Sequence, residues 1–148
     1  MTHSKQVSAR GLLILCVMAI CVAADQVSKK WALTNLARGQ SEPFLPGVIN
    51  LTLTTNPGAA FSLGSQNGQV MGLVATVLTL VILVWIVKRV ISTAPLLVVE
   101  QIGMGCLLGG ATGNLIDRYT QGLVTDFLDF AFMKFPIFID NVVIEIFG

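Results

Sequence analysis

Three long apolar stretches limit what this chain can fold into more than any other feature. They run from Gly11 to Ala24, from Val70 to Val87 and from Leu96 to Ile116, the last interrupted by Glu100 and Gln101. A helix rises about 1.5 Å per residue and a bilayer's hydrocarbon core is about 30 Å thick, so about 20 residues cross it. The second and third stretches reach that length directly. The first reaches it if its helix continues through Asp25 to Trp31, leaving the charged residues at the interface. Only 11% of the 148 residues are charged while 54% are apolar; a soluble domain carries about 25% charge to cover its surface. The expectation is one all-α integral membrane domain over residues 1–148. It is a four-span helical bundle with spans at about 11–31, 70–87, 96–116 and a short 138–148.

A cleavable signal peptide competes for the N-terminus, with Lys5 and Arg10 as its basic region and Val22-Ala23-Ala24 as a small-residue cleavage site. The residues directly after Ala24 carry a motif, which argues for a retained span. Nor does the chain have a lipobox: Leu15 and Ile20 precede Cys16 and Cys21, where a small side chain is needed. Cys16, Cys21 and Cys106 all lie in apolar segments and read as small hydrophobes. His3 is the single histidine, so zinc hydrolysis has no ligand set, and neither a metal nor a cofactor is expected. A net charge of +1 without a basic run sets nucleic acid aside.

Between the first two spans, Val48 to Thr54 alternates apolar and polar residues rich in β-branched types, which predicts a strand. Asn56-Pro57-Gly58 reads as a tight turn. A small β cradle over about 40–66 is therefore expected on one membrane face. Lys5, Arg10, Lys88 and Arg89 mark the cytoplasmic ends, which puts that cradle outside. In the third span, Gly105, Gly109 and Gly113 stand four apart, a spacing that lets helix backbones approach closely.

Polar side chains are costly near lipid, so their clusters at span ends are candidates for chemistry. Four such clusters fall on the same face. Asp25 and Lys29 share a helix face and can pair, either as an anchor for the helix end or as part of a site. Asn56 sits at the proposed turn. Asn114 and Arg118 share a face at the outer end of the third span, in Gly109-Gly110-Ala111-Thr112-Gly113-Asn114-Leu115-Ile116-Asp117-Arg118. Asp126 lies in Gly122-Leu123-Val124-Thr125-Asp126-Phe127-Leu128-Asp129, where the chain is expected to re-enter the membrane. Apolar neighbours there would raise its pKa.

In order and spacing, from Asp25 to about Phe138, these segments resemble the lipoprotein signal peptidase family (signal peptidase II). The resemblance implies an aspartic protease of the bacterial inner membrane with its site near the extracytoplasmic face. It implies a monomer that acts among membrane lipid on prolipoproteins, cutting before the diacylglyceryl-modified cysteine with two aspartates, a water and no metal. Asp126 matches the first catalytic aspartate. Asn56, Gly110, Asn114 and Arg118 match positions that line or order the site, and Asp25 and Lys29 match a supporting pair. The family's second aspartate sits in an Asn-x-Ala-Asp pattern. Here the stretch is Phe138-Ile139-Asp140-Asn141-Val142-Val143, with Val142 at the aspartate position. Asp140 is then the candidate second catalytic acid, with Asn141 beside it.

The expected mechanism is general acid–base hydrolysis by two carboxylates that share one proton. Three rivals stand beside it. One is a Ser28–Lys29 dyad, disfavoured because adjacent helical residues diverge by about 100°. The others are a small non-enzymatic membrane protein and a catalytically impaired homologue.

Overall fold

The longest apolar run becomes the longest helix. In this computed structural model, which describes residues 3–56, 68–130, 136–139 and 142–145, α1 spans His3–Asn35. It ends where Thr34 and Asn35 turn their side chains back onto the Trp31 carbonyl, at 2.9 and 2.8 Å. Two short strands follow, β1 (Ser41–Leu45) and β2 (Ile49–Asn56). Then come α2 (Gly68–Ile91), α3 (Val98–Gln121) and β3 (Val124–Phe130). The last described elements are β4 (Pro136–Ile139) and β5 (Val142–Glu145).

Two of the helices are long and apolar enough to cross a membrane, over Ser4–Asn35 and Gln69–Ile91. Leu73, Leu78, Leu80, Val84 and Trp85 of α2 are all exposed, an apolar surface that water would not tolerate and lipid would. The third helix is as long as α2, but five glycines, Glu100, Asp117 and Arg118 dilute its apolar run.

Small residues set the packing of α1 on α3. A Cβ added at Gly105 would lie 2.6 Å from the Cβ of Val17, and one at Gly109 would lie 2.5 Å from the Cβ of Cys21. One at Gly113 would reach the Asp25 carboxyl, 2.8 Å from its Cγ. Advancing along α3 therefore advances along α1, and the two helices run parallel in close backbone contact. The bundle core behind this seam is Ile14, Ile86, Val90, Leu96, Met104 and Leu108.

One end of the bundle is closed by arginine. Arg10 is buried and donates to the carbonyls of Val90, Ser92 and Ala94, at 3.5, 3.0 and 3.3 Å. A cation thus sits at the C-terminal end of α2, where helix carbonyls lack partners. Arg89 bonds Glu100 at 3.2 Å, and Glu100 accepts the Leu97 N–H at 2.7 Å to start α3.

At the other end lies an antiparallel sheet in the order β1-β2-β3. Its inner face rests on the end of α1 through Leu53, Ala32 and Leu36, with Leu51 and Phe127 packed alongside.

The sequence predicted a strand within 48–54, and β2 occupies that place with Asn56 as its last residue. Two expectations need correction. The Asp126 segment joins the sheet and does not lead straight into a further helix: Gly122 takes a left-handed conformation (φ 79°) and caps the helix onto the Arg118 carbonyl at 3.0 Å. That reversal lays Val124–Phe130 against β2 as a third strand. The last predicted span, 138–148, is not a helix over its described part, because β4 and β5 pair antiparallel with Ile139 opposite Val142. Ile137, Ile139, Val142, Val143 and Ile144 supply the β-branched run that favours strand. Eleven residues of helix would also cover only about 16 Å of the bilayer.

Candidate active site

The turn at Gly122 brings the end of α3, the start of β3 and the end of β2 to the same place. Asp126 stands opposite Thr54, and Asn56 stands opposite Val124, so Asn56 is a diagonal cross-strand neighbour on the face that Asp126 occupies. Asn56 donates a side-chain hydrogen bond to the Asp126 carboxylate. Burial is the largest influence on that carboxyl and raises its pKa; the Lys29 charge, the Asn56 bond and the Arg118 charge pull the other way without cancelling it. A half-buried carboxyl raised above the usual range and set beside two cations suits proton transfer.

Behind it lies a buried polar network between α1 and α3. The Lys29 ammonium bonds Asp25 at 3.0 Å, Asp117 at 2.9 Å and the Asn114 side-chain oxygen at 3.0 Å. Those three partners use all the donors an ammonium has. Gln26 bridges the same groups, reaching Asp25 at 3.1 Å, Asp117 at 3.0 Å and the Gly113 carbonyl at 3.3 Å. Ser28 donates instead to its own helix, to the Asp25 carbonyl at 2.9 Å, so no Ser–Lys dyad forms.

The structure thus gathers Asp25, Lys29, Asn56, Asn114, Arg118 and Asp126, all at the end opposite Arg10. Gly110 lies one residue off the packed seam, and among the described residues a Cβ there would meet nothing within 4 Å. Asp140 and Asn141 lie outside the described residues. Asp129 projects from the other face of β3, with Thr52 at 3.5 Å. Sequence reasoning passed over Gln26 and Asp117. The signal for Asp117 was available: it continues the series 105, 109 and 113 by one more step of four, which aims it at α1.

Comparison with known proteins gives a consistent result. A family model described as signal peptidase (SPase) II matches residues 17–143. The chain is 36% identical over 138 residues to a lipoprotein signal peptidase of Thermosynechococcus vestitus, covering 91% of this chain and 85% of that one. It is 41% identical over 114 residues to a lipoprotein signal peptidase of Nostoc punctiforme, covering 77% and 70%. Among solved structures, a bacterial membrane enzyme determined by the in meso method at 1.9 Å superposes with a TM-score of 0.67. It is 29% identical, with 90% of this chain and 81% of that chain covered.

Proposed function

The chain belongs to the signal peptidase II family, proteases that remove signal peptides from prolipoproteins, and we propose that it cuts with Asp126 as a catalytic carboxylate. The observation that carries this reading is the setting of Asp126. It is half-buried, raised in pKa by that burial, hydrogen-bonded by Asn56 and held near Lys29 and Arg118. An inactive homologue or a non-enzymatic membrane protein is not favoured, since the relatives that match most of the chain are named as peptidases.

The second acid of the dyad is Asp140, whose place in the chain is between β4 and β5. Two carboxyls near one water do not both ionise, so they share a proton. The ionised one takes a proton from water, which attacks the carbonyl preceding the lipid-modified cysteine. The protonated one donates its proton to the carbonyl oxygen; the first acid, now carrying the water proton, passes it to the leaving amine, and the hydroxyl proton returns to the second acid as the carbonyl re-forms. Asn114 and Arg118 order the site, and Gly110 leaves room for the substrate backbone.

The three described helices cross the bacterial inner membrane. In support, α3 runs parallel to α1 in close contact from the Arg10 end to the Asp117 end, so it covers the same depth. The basic residues Lys5, Arg10, Lys88 and Arg89 sit on the cytoplasmic side, which leaves the sheet and Asp126 on the outer side. The enzyme works as a monomer.

A matched pair of precursors tests the substrate. The purified chain should cleave a precursor with a diacylglyceryl cysteine and leave the same peptide with an unmodified cysteine intact. Equal cleavage of both would remove the lipid requirement.

A further inference from the structure

We propose that Asp117 is a positioning residue that fixes Asp126 through the backbone of Thr125, an inference that rests on Asp126 being the catalytic carboxylate. Asp117 is 1% exposed, and its carboxylate has a defined partner on each oxygen. Oδ1 accepts from Gln26 at 3.0 Å, and Oδ2 accepts from Lys29 at 2.9 Å. Oδ2 also accepts the backbone N–H of Thr125 at 3.1 Å. Thr125 is itself 1% exposed and directly precedes Asp126.

The third bond is the informative one. Burying a carboxylate is costly, and Lys29 with Gln26 already compensates it. The Thr125 N–H points away from β2 toward α3, and among the described residues β3 is an edge strand of its sheet. An edge N–H has no neighbouring strand to receive it, and here it is taken by a charge on the adjacent helix. A charge-assisted bond to backbone is short, strong and directional. It ties the start of β3 to α3 at the residue before Asp126, while the Gly122 cap ties the preceding residues to the end of α3. Lys29 holds Asp117 in place and also supports Asp25 and Asn114, so one ammonium aligns α1, α3 and β3. The Asp126 carboxyl is then fixed relative to Asn114 and Arg118, which sit on α3 itself.

Asp117→Asn keeps the size of the side chain. It puts an N–H donor where Gln26, or Lys29 and Thr125, already donate, so the Thr125 bond weakens or is lost. A misplacement of about 1 Å in a catalytic group costs about 10²-fold. Turnover by folded Asp117→Asn enzyme should therefore fall about 10- to 100-fold with KM changed less than about twofold. Amide exchange at residues 124–128 should quicken while exchange in α1 and α2 stays as in the wild type.

A second variant isolates the bond, should the first fail to fold. Replacing Thr125 by its α-hydroxy acid turns the 124–125 amide into an ester and deletes that N–H alone, leaving Asp117, Lys29 and Gln26 intact. The ester should show the same loss of kcat at unchanged KM. A kcat within twofold of wild type for the ester would overturn the proposal. So would a loss in Asp117→Asn that vanishes when rates are expressed per folded enzyme. Asp126→Asn run alongside separates the two claims. If it is inactive while the ester is fully active, positioning fails and the catalytic reading stands. If Asp126→Asn retains full activity, the catalytic reading fails first.

Discussion

Asp126 is held under opposed influences, and the balance sets two measurable properties. Burial raises its pKa, and the nearby Lys29, Asn56 and Arg118 only reduce that rise. A carboxyl whose folded pKa exceeds its unfolded value ionises first in the unfolded chain. Between the usual carboxylate value and the raised one, increasing pH therefore favours unfolding, and the penalty is complete above the raised value. Asp126→Asn removes the group that suffers it. The variant should melt higher than wild type at pH 7 in detergent, with the difference shrinking as pH falls through the carboxylate range. A variant that melts lower at pH 7 would contradict this account of the site. The neighbouring acid behaves differently: Asp129 lies on the opposite face of β3 near Thr52, so Asp129→Asn should keep cleavage within about threefold of wild type, a rate difference under about 1 kcal/mol.

At the scale of elements, the α1–α3 seam and the site are one structure. Gly105 and Gly109 bring the backbones together, and the next two steps of four place Gly113 against Asp25 and Asp117 against Lys29. An added methyl at Gly109 has no free space, being 2.5 Å from the Cys21 Cβ and 3.1 Å from the Met18 carbonyl oxygen. Gly109→Ala should destabilise by about 1–3 kcal/mol as α1 is pushed away. Gly110→Ala should melt at or above the wild-type temperature, since no described residue lies within 4 Å and alanine favours helix. A raised KM in Gly110→Ala would locate the substrate beside it. Thermal melts and KM for both variants check the pair.

Much of this was legible in the residues. Apolar runs located α1, α2 and α3, alternation located β2, and the spacing of four located the seam. The strand β3 was not legible, because Val124 to Phe130 has no clean alternation and its partner lies about 70 residues earlier. Nor was β1, where Pro43 interrupts the pattern and is tolerated only because the strand is an edge. Asp117 was missed because an isolated buried carboxylate reads as an interfacial charge until the helix opposite supplies Lys29.

For the whole molecule, charged side chains collect at the two ends of the helices and leave the middle apolar. Arg10, Lys88 and Arg89 gather at one end of the helices, and Asp25, Lys29, Asp117, Arg118 and Asp126 at the other. Gln40 and Thr93 are both exposed, and the proposed topology, with the Arg10 end inside, puts Gln40 on the outer side and Thr93 in the cytoplasm. In a chain whose Cys16, Cys21 and Cys106 are replaced by alanine, Gln40→Cys should react with a membrane-impermeant maleimide in intact spheroplasts. Thr93→Cys should react only after permeabilisation, and the reverse pattern would invert the topology. The most direct test of the central claim is cleavage of a diacylglyceryl-modified precursor by purified wild type and Asp126→Asn, both confirmed as folded by their melts. The expected result is mature product from wild type and a rate at least about 10³-fold lower from Asp126→Asn, a loss of about 4 kcal/mol in transition-state stabilisation. Comparable rates from the two proteins would show that Asp126 is not a catalytic carboxylate.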